Sequence, residues 1–571
     1  MADMSKENLM RIGNASVGAV AGFAVWLLID VLPEALDNQW LYLWIASVVF
    51  GFFTLLLGLV GPLKPVEAVK VAGVLGLFAA ALFFWASLRF TAFDDVFEMG
   101  FDPAAFVILI FIGAPFGAAV MRGRVFDYAY LFDTAWGIVV RYLAAWVFVA
   151  LFWGALFLSN ALLEIVGIGV IGDLIDVEGV PYVLSGLVLG LALAVANELR
   201  AYVSPYLLLR LLRLLMPPLV LVVAVFILAL PFRGLSGLFG EFSAAGTLMA
   251  VAIAGASLIA ASVDSTDDEA ARSTLMSWAT RAFAAMLPIL GVLAVWAVLI
   301  RVGDYGWTPV RLAAFIASLF VLAYGVLYGA ALLRRDWRAR IRRANIYHAL
   351  AVLLVAALWL TPILDASRLS ANSQVARFIR GDSTMDQLPA WELANVWGKA
   401  GQTALARLKE LDDATYPGLS SLLARAETES AWEFERKGET LSRQEVATQA
   451  LARLTLFPPN ASVSSAALAG IRRLPLERLL ESCDFGPCSL IVSTPEPAQS
   501  AKIVAVLPLP DGGANVALYG ERNGVFFFDQ YLSEIDQQVL DQIAQGAFRV
   551  GPSSLKSIWV GDTEIGSGRL G

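Results

Sequence analysis

Arg141 stands inside the apolar run GIVVRYLAAWVF, about seven residues beyond the start of a hydrophobic stretch. At about 1.5 Å per residue that is roughly 10 Å deep, a position an arginine tolerates only when paired or hydrated. A guanidinium there is able to bind an anionic headgroup or a substrate carboxylate, with Asp133 or Glu198 as resting partners; equally, it snorkels or makes a structural ion pair. Asn160, at the far end of the same stretch, and Asn197 and Glu198, in the stretch that follows, complete a candidate intramembrane polar site. Arg200, Arg210, Arg213 and Arg281 cluster near helix ends, where cationic side chains either contact anionic lipid or simply flank the membrane.

A second chemical candidate is ESCDFGPCSL, which holds both cysteines of the chain, Cys483 and Cys488. Their spacing alone leaves a metal clamp, a redox pair and a disulfide open, because compartment decides among them. His348 is the sole histidine and cannot build a histidine-based metal site; a proton relay or a hydrogen-bonded interfacial role are the alternatives for it. PDGG supplies one carboxylate where a calcium loop needs several oxygen ligands, so it reads as a hairpin turn. No nucleophile elbow, P-loop, dinucleotide fingerprint, HExxH or CxxC occurs, and the reading includes no catalytic residue, no metal and no cofactor.

The elements that must position these residues follow from hydropathy. Hydrophobic residues make up 58% of the 571 positions and charged residues only 16%, far from a soluble domain. Eleven stretches of the roughly 20 residues needed to cross a bilayer lie within residues 1–364. They run over about 12–32, 40–60, 67–88, 103–121, 134–160, 181–199, 206–230, 245–263, 277–300, 309–333 and 346–364. Pro217 and Pro218 interrupt the seventh, a device that some transporters use to build a midplane site. Gly113/Gly117, Gly186/Gly190 and Gly325/Gly329 carry the spacing that lets helices approach closely.

The first stretch has a basic flank, Lys6 and Arg11, and no small-residue cleavage site, so it reads as a retained anchor. With the N-terminus inside, inner segments and flanks hold seventeen Lys and Arg, including the run LLRRDWRARIRR, against four outside. That asymmetry sets the orientation. Eleven crossings then leave everything after Asp365 outside, in the periplasm of a Gram-negative cell. There the two cysteines meet an oxidising environment, which favours the disulfide.

Residues 365–482 read as an extracytoplasmic helical region, from runs such as WELANVWGKAGQTALARLKEL. Residues 483–571 read as an extracytoplasmic α+β region: SLIVST, AKIVAVLPL, ANVALYGE and GVFFFDQY form an antiparallel meander, and LSEIDQQVLDQIAQGAF forms a helix. The fold class expected is a polytopic α-helical membrane domain, residues 1–364, followed by a soluble α+β domain.

The segment MRGRVFDYAYLFDTAWGIVVRYLAAWVFVALFWGALFLSNALLEIVGI, with SQVARFIRGD and the strand pair around LPLPDGGANVALYG, resembles a bacterial family of multi-pass membrane proteins, the domain of unknown function 4153 family. The resemblance implies many membrane helices and an extramembrane C-terminal part, and supplies no activity or site residue. The reading is thus a bacterial inner-membrane protein, a transporter, channel or lipid-handling protein with a periplasmic accessory domain. The alternative is a non-catalytic envelope scaffold, assembly factor or sensor acting through residues 365–571; a membrane enzyme has the least support. The expected partners are the lipid bilayer and an envelope protein, and the acidic balance of the chain argues against nucleic acid.

Overall fold

The structure, a computed structural model, describes residues 2–198, 205–233, 244–271, 273–492, 502–510, 512–547, 556–560 and 563–568. Among them are eleven helices long and apolar enough to cross a membrane. We number these α1 (Met10–Ala35), α2 (Gln39–Leu59), α3 (Pro65–Ser87), α4 (Phe101–Arg122), α5 (Tyr128–Ile165) and α6 (Val180–Glu198). The rest are α7 (Leu208–Leu230), α8 (Ala245–Val263), α9 (Thr274–Tyr305), α10 (Pro309–Leu332) and α11 (Trp337–Trp359). The protein is therefore a polytopic membrane protein, and its spans imply contact with a lipid bilayer.

Local chemistry explains the starts of several spans. Asn38 accepts from the backbone N–H groups of Trp40 and Leu41 ahead of α2, Asp127 accepts from Tyr130 N at 3.2 Å ahead of α5, and Thr308 accepts from Arg311 N ahead of α10. The 38 residues of α5 span about 57 Å, well beyond a hydrocarbon core of roughly 30 Å. One boundary differs from the sequence expectation. The last helix begins at Trp337, so Arg338, Arg340, Arg342 and Arg343 form its first turns instead of a loop. The interruption expected in the seventh span lies within α7: one helical segment ends at Arg213 and the next begins at Met216, with Pro217 and Pro218 in its first turn, where their missing N–H groups have no helical acceptor in any case.

The membrane part holds two main apolar cores. One is built from α2, α3 and α4 with the far end of α11, around Leu55, Phe83, Phe106 and Leu360. The other is built from α7 to α10, around Met216, Ile259, Phe283 and Tyr328. Glycines bring several pairs together. Gly18 and Gly22 of α1 lie against Gly186 and the Tyr182 carbonyl of α6, so close that a Cβ at Gly18 or Gly186 would collide with the facing backbone. Gly325 of α10 likewise rests on Pro288 of α9.

By contact, the chain divides into residues 1–427 and 428–571. In the first unit, α12 (Ala366–Arg380), α13 (Ala390–Asn395) and α14 (Gly398–Lys409) follow the spans. Gln374 donates to the carbonyls of Tyr305 and Trp307, Arg377 to those of Gly303 and Asp304, and the backbone N–H and ammonium of Lys399 to those of Arg89 and Leu88. All of these acceptors belong to the α3–α4 and α9–α10 connections or the helix ends beside them, which an alternating chain places on one face of the membrane.

The second unit is α+β. Its sheet has the order β1-β2-β3-β4-β5, comprising β1 (Thr455–Phe457), β2 (Ser489–Val492), β3 (Lys502–Pro508), β4 (Ala514–Arg522) and β5 (Val525–Ile535). The stretch β2 to β5 is the antiparallel meander expected; β1 adds a parallel edge and makes the sheet mixed. The helix Arg473–Ser482 lies in the β1-to-β2 connection, as parallel pairing requires a crossover. Cys483 and Cys488 form a disulfide with Cα atoms 5.2 Å apart, joining the end of that helix to the start of β2.

Candidate functional site

Between the two apolar cores lies a cleft of about 480 Å³, within the size range of small-molecule sites. Five helices line it: α4 with Phe111, Pro115 and Phe116; α5 from Tyr128 to Val139; α8 from Ile253 to Ala260; α10 with Tyr324 and Tyr328; and α11 with Asn345, Ile346 and Ala349. Pro115 sits inside α4 and removes one ladder hydrogen bond on the wall of the cleft. From Tyr128 to Val139 the lining of α5 covers twelve residues, eleven rises or about 16 Å along the helix, roughly half the thickness of a hydrocarbon core.

Its polar groups form a directed chain. Tyr328 donates its hydroxyl to Asn345 Oδ1 at 2.5 Å, and Asn345 Nδ2 donates to the Tyr128 hydroxyl oxygen at 3.1 Å. Among the described residues, the Tyr128 proton has no protein acceptor. His348, one turn along α11 from Asn345, is buried with its ring 3.5 Å from that of Tyr324 and 5.1 Å from that of Phe320. No lining residue is charged.

A charged network closes the end of the cleft nearest the α8–α9 connection. Arg213 is buried, donates to the Ala261 carbonyl at 2.8 Å and the Glu269 carbonyl at 3.1 Å, and pairs with Asp264. Arg342 donates to the carbonyls of Val263 at 2.7 Å and Asp264 at 3.0 Å, and meets Asp267 at 2.9 Å. Burial pushes the Asp264 carboxyl up, against the opposing pull of the Ser265 N–H and the Arg213 guanidinium. Asp264 adopts φ 53°, and its own side chain accepts from Ser265 N at 2.6 Å, which supports the left-handed turn. Asp133 of α5 lies beside Ser265, Glu269 and Asp264.

The residues singled out from sequence fall in different places. Arg141 is buried; it donates to Gly58 O at 3.3 Å, to Gly137 O of its own helix at 2.8 Å and to Asn197 Oδ1 at 3.4 Å. Gly58 is next to the last residue of α2, so the guanidinium caps the carbonyl end of that helix. Gly61 has φ 142°, and a Cβ there would collide with this guanidinium. Glu198 is engaged by Arg11, whose Nε and Nη2 reach its carboxylate at 2.9 and 2.5 Å. Asn160 lies far along α5, at 3.5 Å from Glu164. Of the intramembrane set, the structure brings Arg141 and Asn197 together, and sets Asp133 and Asn160 in other surroundings.

Of the four arginines considered for anionic lipid, Arg213 is committed to Asp264, Arg281 stacks over Trp337 at 5.0 Å, Arg210 is exposed, and Arg200 lies outside the described residues. Among the described residues, no group of three or more His, Cys, Asp or Glu is placed to hold a metal. The Tyr128, Asn345 and Tyr328 chain escaped the sequence reading. Its signal was there in FDYAY and RANIYH, where hydrogen-bonding side chains sit just inside apolar spans, yet nothing local pairs residues more than 200 positions apart.

No protein family, curated protein or solved structure matches this chain. The resemblance to the 4153 family thus has no support beyond the residues quoted for it.

Proposed function

We propose that this protein handles a membrane amphiphile, taking it from one leaflet into the cleft between its two bundles. The observation that carries the reading is the cleft itself: about 480 Å³, lined by membrane-spanning helices, apolar and aromatic along its walls, with a short polar chain at one end. A polar solute would meet too few hydrogen-bonding partners on such walls. An amphiphile matches both parts.

The Lys and Arg in or beside the connections after α2 (Lys64), α4 (Arg122, Arg124) and α10 (Arg334, Arg335) support an orientation with the polar end of the cleft towards the cytoplasm. Residues 365–482 and 483–571 would then be periplasmic, in keeping with the disulfide between Cys483 and Cys488. Arg141 and Asn197 serve in this reading as a brace between α2, α5 and α6.

Purification in mild detergent followed by extraction of bound lipid tests the proposal. Ala260→Phe, which places a ring in the cleft, is expected to lower the co-purifying amphiphile at least several-fold while the protein stays folded. Equal recovery from both proteins would overturn the reading.

A second reading, an envelope scaffold, is favoured by β5, which ends the sheet and exposes Phe527, Tyr531 and Leu532. Photo-crosslinking from position 532 in cells tests it, and a lack of any specific adduct removes it.

A further inference from the structure

We infer that the ligand of the cleft is an uncharged amphiphile whose polar end is a carbonyl-type hydrogen-bond acceptor, the chemistry shared by isoprenoid quinones and acylglycerols. The inference rests on the cleft's being a ligand site, as proposed above, and adds the class of ligand.

Three observations carry it. First, no charged side chain lines the cleft, so an ionic headgroup inside it would lose hydration without compensation. Second, the cations nearest its polar end are already committed. Arg213 holds Asp264 and two backbone carbonyls, and Arg342 holds Asp267 and two more. An anionic headgroup would have to displace these partners, four of which are backbone carbonyls.

Third, the polar chain has a direction. Tyr328 gives its proton to Asn345 Oδ1, and Asn345 gives one from Nδ2 to the Tyr128 oxygen. The Tyr128 O–H is the donor left at the end; it sits half-buried on the wall of the cleft, and a donor partly withdrawn from water calls for an acceptor. A ketone or ester carbonyl supplies one without charge. The rings of Phe111, Phe116, Phe132, Trp136 and Tyr324 around it offer faces and edges to a flat headgroup, which suits a quinone ring better than a glycerol ester.

The test uses full-length protein in detergent, stripped of lipid, with three probes: a decyl-substituted benzoquinone, dioctanoylglycerol and dioctanoyl phosphatidylglycerol. Binding is read as a concentration-dependent rise in the unfolding temperature. The expected result is that a neutral probe binds more tightly than phosphatidylglycerol, that Tyr128→Phe weakens the neutral probe about three- to tenfold, and that Ala260→Phe abolishes its binding. Whichever neutral arm is tighter identifies the source.

Phosphatidylglycerol binding as tightly as the neutral probes, in a manner blocked by Ala260→Phe, would overturn the inference and leave the cleft as a lipid site. Indifference of neutral-probe binding to Tyr128→Phe would also overturn it. Should no probe bind, or should Ala260→Phe leave all binding intact, the cleft reading fails as well. The comparison of neutral with anionic probes on the unaltered protein decides the matter even where a variant does not fold.

Discussion

The hydroxyl of Tyr328 on α10 is held 2.5 Å from Asn345 Oδ1 on α11, and the same amide reaches Tyr128 on α5 at 3.1 Å. Three helices are thereby tied at one point, at the polar end of the cleft. Tyr328 is fully buried, so Tyr328→Phe leaves the amide oxygen without its donor among apolar neighbours. A loss of about 1–3 kcal/mol is expected, as for other buried groups left unpaired. Thermal unfolding in detergent checks it, and Tyr328→Phe combined with Asn345→Leu should recover part of the loss. An unchanged midpoint for the single variant would show that the chain does not stabilise the bundle.

Arg213 and Asp264 form an ion pair between α7 and the α8–α9 connection, with both side chains under a tenth exposed. Removing one partner of a buried pair strands the other, at about 3–5 kcal/mol. Arg213→Met should therefore lower yield and thermal stability sharply. Arg213→Met with Asp264→Asn should do less harm, because the uncharged asparagine tolerates the left-handed turn and still accepts from Ser265 N, although Ala261 and Glu269 would still lose their donor. Additive losses would argue that the two charges act independently.

How far the fold was legible follows from the range of the forces involved. Each span announces itself within about 20 residues, so all eleven were visible in the sequence, as was the meander from SLIVST to GVFFFDQY. The edge strand Thr455–Phe457 was not, because three residues carry no period and its pairing to Ser489–Ile491 is decided by a crossover. Composition changes near Asp365, whereas contacts divide at residues 427 and 428, since Gln374, Arg377 and Lys399 bind the ends of the spans. Sequence picked out Arg141 as an isolated intramembrane charge; the α2 carbonyl end that it caps lies 83 positions away, and no local pattern points to it.

Gly186 illustrates the same limit and gives a third prediction. Its spacing to Gly190 marks a close approach, and the structure supplies the other side, Gly18 and the Asn14 carbonyl of the first helix. A leucine at 186 would force α1 and α6 apart and separate Arg11 from Glu198. Less folded protein and easier proteolysis near the N-terminus are expected for Gly186→Leu. Gly73, which meets nothing within 4 Å, is the control: Gly73→Leu should be tolerated.

In the second unit, burial holds the Tyr519 phenol well above its ordinary value near 10, with the Tyr531 phenol adding to the effect. The folded state therefore keeps a proton that the unfolded chain gives up above about pH 10. Stability from this group is fully present below that pH and is lost as pH rises towards the folded value. Tyr519→Phe has no proton to lose, so its unfolding midpoint should fall less between about pH 9 and 11. Parallel curves for the two proteins would assign alkaline instability to other groups.

The disulfide provides the last prediction, because it reports on compartment as well as stability. Closing the short loop between Cys483 and Cys488 is worth about 2 kcal/mol in the chain-entropy estimate. Cys483→Ser with Cys488→Ser should lower the stability of the second unit by about that amount and leave the spans in place. Protein taken from intact cells with thiols blocked at lysis should show no free cysteine, since an extracytoplasmic pair oxidises. Two reactive thiols in that experiment would instead place the sheet in a reducing compartment, reverse the orientation inferred from the arginines, and turn the polar end of the cleft to the opposite leaflet.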